Sequence, residues 1–190
     1  NFSRSSKIDK KILKIEEKIK KEIPEYFAKI KPKGASLKKI QSLLQKKQVF
    51  LEYFFLENHF YALVIKKNDH KLFKFKTNKN NLQNLSSSIK ESLLVTDSGD
   101  LKKFDVNSAF LLYSKIFKPI ENYLDNNNEI ILAANDFLNY IPLHILPQDK
   151  SKNCYDCSKI NWLKNKYSFT YVPNSQFFLF KKNKLLNLPK

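Results

Sequence analysis

The 190-residue chain has two glycines, one tryptophan, no methionine and a single arginine, Arg4, among 35 basic residues. The missing arginines bear on partners. With 18 acidic residues the formal charge is +17, which brings nucleic acid, anionic membrane and acidic proteins to mind. Arginine is the side chain suited to bidentate recognition of phosphate and of guanine edges. A chain that is basic almost entirely through lysine makes a poor sequence reader. The abundance of Lys, Asn, Ile, Phe and Tyr beside scarce Gly has the stamp of an AT-rich coding sequence, so the lysines read as solvated surface and nucleic acid is not favoured. Cys154 and Cys157 are the only cysteines, too few for a disulfide-stapled secreted module and better suited to a reducing, cytoplasmic setting. No apolar run reaches the roughly 20 residues of a membrane span, so no membrane partner is expected. Asn1–Lys7 has no apolar core of the secretory type, and position 1 is not Met, which limits what can be said of targeting.

What is present is an ordered set of periodic segments. Hydrophobic residues make up 42% of the chain and aromatics 14%, enough to build a core. Ile8, Ile12, Ile15, Ile19 and Ile23 recur at helical steps inside residues 7–31. Pro24 opens a second helical piece carrying Tyr26, Phe27 and Ile30. The isoleucine stripe suits a coiled-coil seam or, more simply, a helix docked on its own domain. Residues 31–35 break the pattern, dividing an N-terminal helical segment, 1–35, from a domain, 36–190. Ser36 caps a short helix to Gln45 with Ile40, Leu43 and Leu44 turned inward. Residues 49–56 and 60–65 are apolar on both faces, as strands covered on both sides are. Residues 72–76 alternate, and the outward lysines protect a sheet edge. Glu57-Asn58 and Asn68-Asp69 make the two turns without glycine. Leu82, Leu85, Ile89 and Leu93 mark a helix; Asp105 caps another, running Val106, Phe110, Tyr113, Phe117, Ile120, Leu124, which Pro119 kinks or divides. A strand at 130–134, a polar loop at 147–161, a strand at Ser168–Val172 and a basic helix from Ser175 to Leu186 follow. The expected fold is α/β, a layered fold with a mixed sheet.

The order of these pieces resembles the CHAT family (caspase HetF associated with TPRs). The residues that carry the resemblance begin with Ser36-Leu37 and Ile40-Gln41-Ser42-Leu43-Leu44, followed by Glu52-Tyr53-Phe54 and Tyr61 to Ile65. Phe104-Asp105 with Ala109, Leu112-Tyr113 and Pro119 comes next, then Leu138, Ile141-Pro142-Leu143 and Leu146. Trp162-Leu163, Tyr167 and Tyr171-Val172-Pro173 complete it. The resemblance covers about Ser36 to Phe178. Asn135-Asp136 stands where the family has Asp-Gly, and Asn174 where Ser is usual. The resemblance implies a caspase-like fold, an antiparallel meander followed by helical crossovers, belonging to a cysteine endopeptidase. In that family the His-Gly and Cys of the dyad come after the Pro-Ser strand, later than anything in this sequence. The implied role is a scaffold without a catalytic site or cofactor of its own. Its implied partners are a downstream catalytic part of the same protein and a helical-repeat (TPR-like) region or regulatory protein. A degenerate interaction module is the alternative, and a basic nucleic-acid binder the third.

The residues left with possible chemistry are few. His59 and His70 open strands at turns. His144, in Pro142-Leu143-His144-Ile145-Leu146, could pair with Cys154 or Cys157 as a Cys–His dyad, but no Gly follows it as the family motif requires. Cys154-Tyr155-Asp156-Cys157 is half of a tetrahedral zinc site. Free thiols are the first reading of that pair, a zinc half-site completed in trans or by His144 the second, and a redox pair the third. Phe177, Phe178 and Phe180 among Lys181, Lys182 and Lys184 would suit single-stranded nucleic acid or, more simply, a packed amphipathic helix.

Overall fold

The computed structural model describes residues 2–23, 35–56, 59–125, 128–134, 136–151 and 153–179. The second helical piece expected from Pro24, the Glu57-Asn58 turn and most of the helix expected after Ser175 lie outside them. The chain divides into two compact units, Asn1–Ala35 and Ser36–Lys190. In the first, α1 spans Phe2–Glu22. Ile12, Ile15 and Ile23 of its stripe are exposed.

The second unit is α/β, layered around a mixed five-stranded sheet. It opens with α2, Leu37–Leu43, where the Ser36 side chain accepts the Lys39 amide at 3.3 Å and satisfies an orphan donor of the first turn. Then come β1, Gln48–Leu56, β2, His59–Ile65, and β3, His70–Phe75. They form an antiparallel meander with Phe50 opposite Ile65 and Ala62 opposite Phe73. Three helices cross over one face: α3, Lys79–Ser92, α4, Val106–Ile116, and α5, Lys118–Leu124. The chain returns as β4, Glu129–Ala134, parallel to β1, and later as β5, Ser168–Val172, parallel to β4. The strand order is β3-β2-β1-β4-β5.

Local chemistry explains the helix limits. Asp105 accepts the Ser108 amide and starts α4. Pro119 has no N–H and its ring collides with the carbonyl four residues back, so the run ends at Ile116 and restarts at Lys118 with the proline in its first turn. The expected division therefore occurs, at Phe117.

Both faces of the sheet centre are buried. Val49, Leu51 and Tyr53 of β1 meet Phe60, Ala62, Val64, Leu132 and the apolar sides of α3, α4 and α5 in one core. Tyr53 is enclosed there, and its hydroxyl donates to the Ile116 carbonyl at 2.8 Å, which offsets the cost of burying the hydroxyl. On the opposite face Phe50, Ile65 and Ile131 are buried together with Ile40 and Leu44, and the Phe178 ring packs at a tilt 5.3 Å from that of Phe50.

The two edges of the sheet differ. β3 carries Lys71 and Lys74 toward solvent, followed by Lys76, the charged protection that discourages pairing with another strand. β5 reads Ser-Phe-Thr-Tyr-Val, with no charge and no proline, and Ser168, Thr170 and Tyr171 are exposed. No strand among the described residues pairs with its outer side.

Candidate functional site

The sequence-derived candidates gather after β4. A 3₁₀ turn, Asp136–Tyr140, and a second, Leu143–Ile145, lead from β4 toward residues 147–162. Pro142 and Leu143 set the second turn, which buries Leu143 and leaves His144 half-buried. The His144 Nδ1 lies 3.2 Å from the Tyr171 hydroxyl of β5, with the two rings edge to face. Burial first, and Lys164 second, hold the His144 imidazole below its usual pKa, so it is neutral at pH 7. A neutral imidazole can act as a base, but His144 faces a tyrosine and not a thiol.

The cysteines have a different fate from the one expected. The Cys154 and Cys157 Cα atoms lie 5.6 Å apart and the side chains form a disulfide, a separation in the usual range for that bond. The free-thiol reading is corrected. Three residues of spacing in a turning loop bring two cysteines to disulfide distance as readily as they leave them apart. In this form neither sulfur is a thiolate, so neither is a nucleophile or a metal ligand. Among the described residues no group of three or more His, Cys, Asp and Glu could hold a metal ion. His59 and His70 sit at the openings of β2 and β3, exposed, as turn residues.

Backbone pairing fixes the cysteine loop to the rest of the unit. Pro147 pairs with Trp162 at its base, where the Leu163 amide donates to the Leu146 carbonyl at 2.9 Å. At its far end the Phe104 amide donates to the Cys154 carbonyl at 2.8 Å, and Trp162 packs edge to face on Phe104. An open cleft of about 610 Å³ lies beside this contact, walled by Leu93, Phe104, Ile145, Ile160 and Trp162, with Cys157 and Lys164 also at it. Such a cleft can take an apolar side chain. It presents one cation and a paired sulfur, which is no catalytic constellation.

A group that sequence reasoning missed is Glu121 on α5. Its Oε2 accepts the Tyr113 hydroxyl at 2.6 Å. Its Oε1 accepts Lys166 Nζ at 2.9 Å, Gln148 Nε2 at 3.1 Å and the Tyr167 hydroxyl at 3.1 Å. Burial alone would raise the carboxyl pKa; the hydrogen bonds from Tyr113, Lys166 and Tyr167 outweigh it and hold the group ionised below its usual range. With both carboxylate oxygens engaged, Glu121 is a structural tie between α4, α5 and residues 148–167. Glu52, at the centre of β1, is the other carboxylate of interest. Burial raises its pKa, against the lowering effect of a hydrogen bond from the Ser175 backbone.

Lys66, Lys74, Lys90 and Lys103 lie over the rings of Tyr123, Tyr61, Tyr140 and Tyr155, on separate elements, where they cover aromatic surface. No helix among the described residues is long and apolar enough to cross a membrane. No protein-family model matches the chain, and no curated protein sequence matches it either.

Proposed function

We propose that this chain is the non-catalytic, caspase-like scaffold of a CHAT-type cysteine endopeptidase, and that β5 is the edge to which the catalytic strands add. The observation that supports this most is the contrast between the sheet edges. β3 is guarded by lysines, whereas β5 is uncharged, aromatic and β-branched, and no strand among the described residues pairs with its outer side. An unguarded edge of this composition invites pairing with another strand. β1, β4 and β5 run parallel, so their carboxyl ends point one way, where sheets of this class place their sites. The dyad would come from the added strands, in the same protein, and a helical-repeat or regulatory partner would act on the assembled unit.

The test compares this chain with the full product of its gene in assays against a broad peptide library and a thiol-reactive probe. The expected result is turnover by the full product and silence from this chain. Ser168→Lys with Thr170→Lys, both at exposed positions, should leave the fold intact and suppress turnover by guarding the β5 edge. Full product that lacks peptidase activity while still binding a protein partner through β5 would favour the interaction module. Turnover by this chain alone, abolished by Cys154→Ala, would overturn the scaffold reading.

A further inference from the structure

We infer that α1 is a self-association helix, which pairs in parallel with the same helix of other copies of this chain. The helix is regular from Phe2 to Glu22. Ile12 is 48% exposed, Ile15 59% and Ile23 54%, with Ile19 half-buried, so most of an isoleucine stripe at helical spacing faces solvent. An aliphatic seam of this kind is stable only when covered.

The charges say what covers it. With Ile12 and Ile19 at a positions, Ile8 and Ile15 fall at d. The e positions are then Asp9, Glu16 and Ile23, and the g positions Arg4, Lys11 and Lys18. One flank of the seam is acidic and the other basic. In a parallel pair each g residue meets the e residue five positions on in its neighbour. Arg4 then faces Asp9, and Lys11 faces Glu16, while the aliphatic stem of Lys18 covers Ile23. In an antiparallel pair g meets g and e meets e, which sets Lys11 against Lys18 and Asp9 against Glu16. The sequence is therefore self-complementary in one orientation only. The same flank argues against a lipid surface, because Asp9 and Glu16 beside the seam would be pressed against anionic headgroups. Isoleucine at both a and d favours three or more chains over two. Ser5 at a and Glu22 at d confine the seam to about two heptads, so the association is reversible and concentration-dependent.

Sedimentation equilibrium of the whole chain over a wide concentration range tests this. The expected result is a reversible rise from 22.5 kDa to a multiple of it. Ile12→Asn with Ile15→Asn should abolish the rise, while Leu13→Asn, off the seam but as exposed at 57%, should leave it unchanged. Thermal melts of each variant show whether the Ser36–Lys190 unit is still folded. Lys11→Glu and Glu16→Lys should each weaken association, and a mixture of the two should recover at least part of it, because every contact between unlike chains then sets opposite charges face to face. A chain that stays monomeric at every concentration overturns the inference. So does association indifferent to Ile12 and Ile15, failure of the charge-swapped mixture to recover, or binding to anionic phospholipid vesicles in place of self-association.

Discussion

The Tyr113 hydroxyl donates to Glu121 Oε2 at 2.6 Å across the break between α4 and α5. That contact bridges two helices that Pro119 has separated, and the other oxygen of the same carboxylate extends the tie to Gln148, Lys166 and Tyr167. Glu121→Ala leaves four donors without their acceptor. Bonds to a charged partner are worth more than neutral ones, and Lys166 is about half exposed and resolvates. The expected loss is about 2–3 kcal/mol, read as a lower urea midpoint at unchanged m-value. The pH dependence has a definite sign. The folded carboxyl pKa is depressed, so this stability is present above the unfolded value and is lost as pH falls through the folded one. Glu121→Gln should flatten the acid limb of a stability–pH curve. An unchanged acid limb would show that the tie contributes nothing.

Glu52 has the opposite sign. Burial raises its folded pKa, so the folded state binds the proton more tightly than the unfolded one. Stability is highest below the unfolded pKa and declines as pH rises through the window between the two values. Glu52→Gln keeps an acceptor for the Ser175 amide and removes the buried charge. The expected outcome is a higher Tm at pH 7 and no difference at pH 4. A lower Tm at pH 7 would mean that the charge at Glu52 stabilises the sheet.

The meander was legible in the sequence because its strands are unambiguous. Residues 49–56 and 60–65 are apolar on both faces, which a helix of that length at a surface cannot be, and the lysines of 72–76 alternate. The α4–α5 break was legible from Pro119 alone. The candidate site was less so. Glu121 reaches Tyr113, Gln148, Lys166 and Tyr167 at sequence separations of 8, 27, 45 and 46, and no local pattern encodes a partner that distant. Cys154 and Cys157 read first as free thiols, then as a zinc half-site and then as a redox pair, and three residues of spacing permit the disulfide as well. The α1 stripe was visible as a stripe; whether it is covered depends on tertiary packing, which periodicity does not report.

The cysteine pair and His144 give the last prediction. The disulfide closes a loop of only a few residues, so in the chain-entropy account its removal costs no more than roughly 2 kcal/mol. What it secures is local: the Cys154 carbonyl receives the Phe104 amide ahead of α4, and the Asn153 side chain receives Asn107 at 3.3 Å. Reduction, or Cys154→Ser with Cys157→Ser, should raise amide exchange at Phe104 and Asn107 and lower the Tm by a few degrees. The β1–β4 amides should keep their protection, because their hydrogen bonds are made within the sheet. His144→Ala should lose the contact to Tyr171 and change no catalytic rate of this chain, since the imidazole has a phenol and not a thiolate beside it. Amide-exchange mass spectrometry with and without a thiol reductant makes the decisive comparison. Global loss of protection on reduction would show the disulfide holding the whole unit, and peptidase turnover appearing on reduction would make the released thiols a nucleophile.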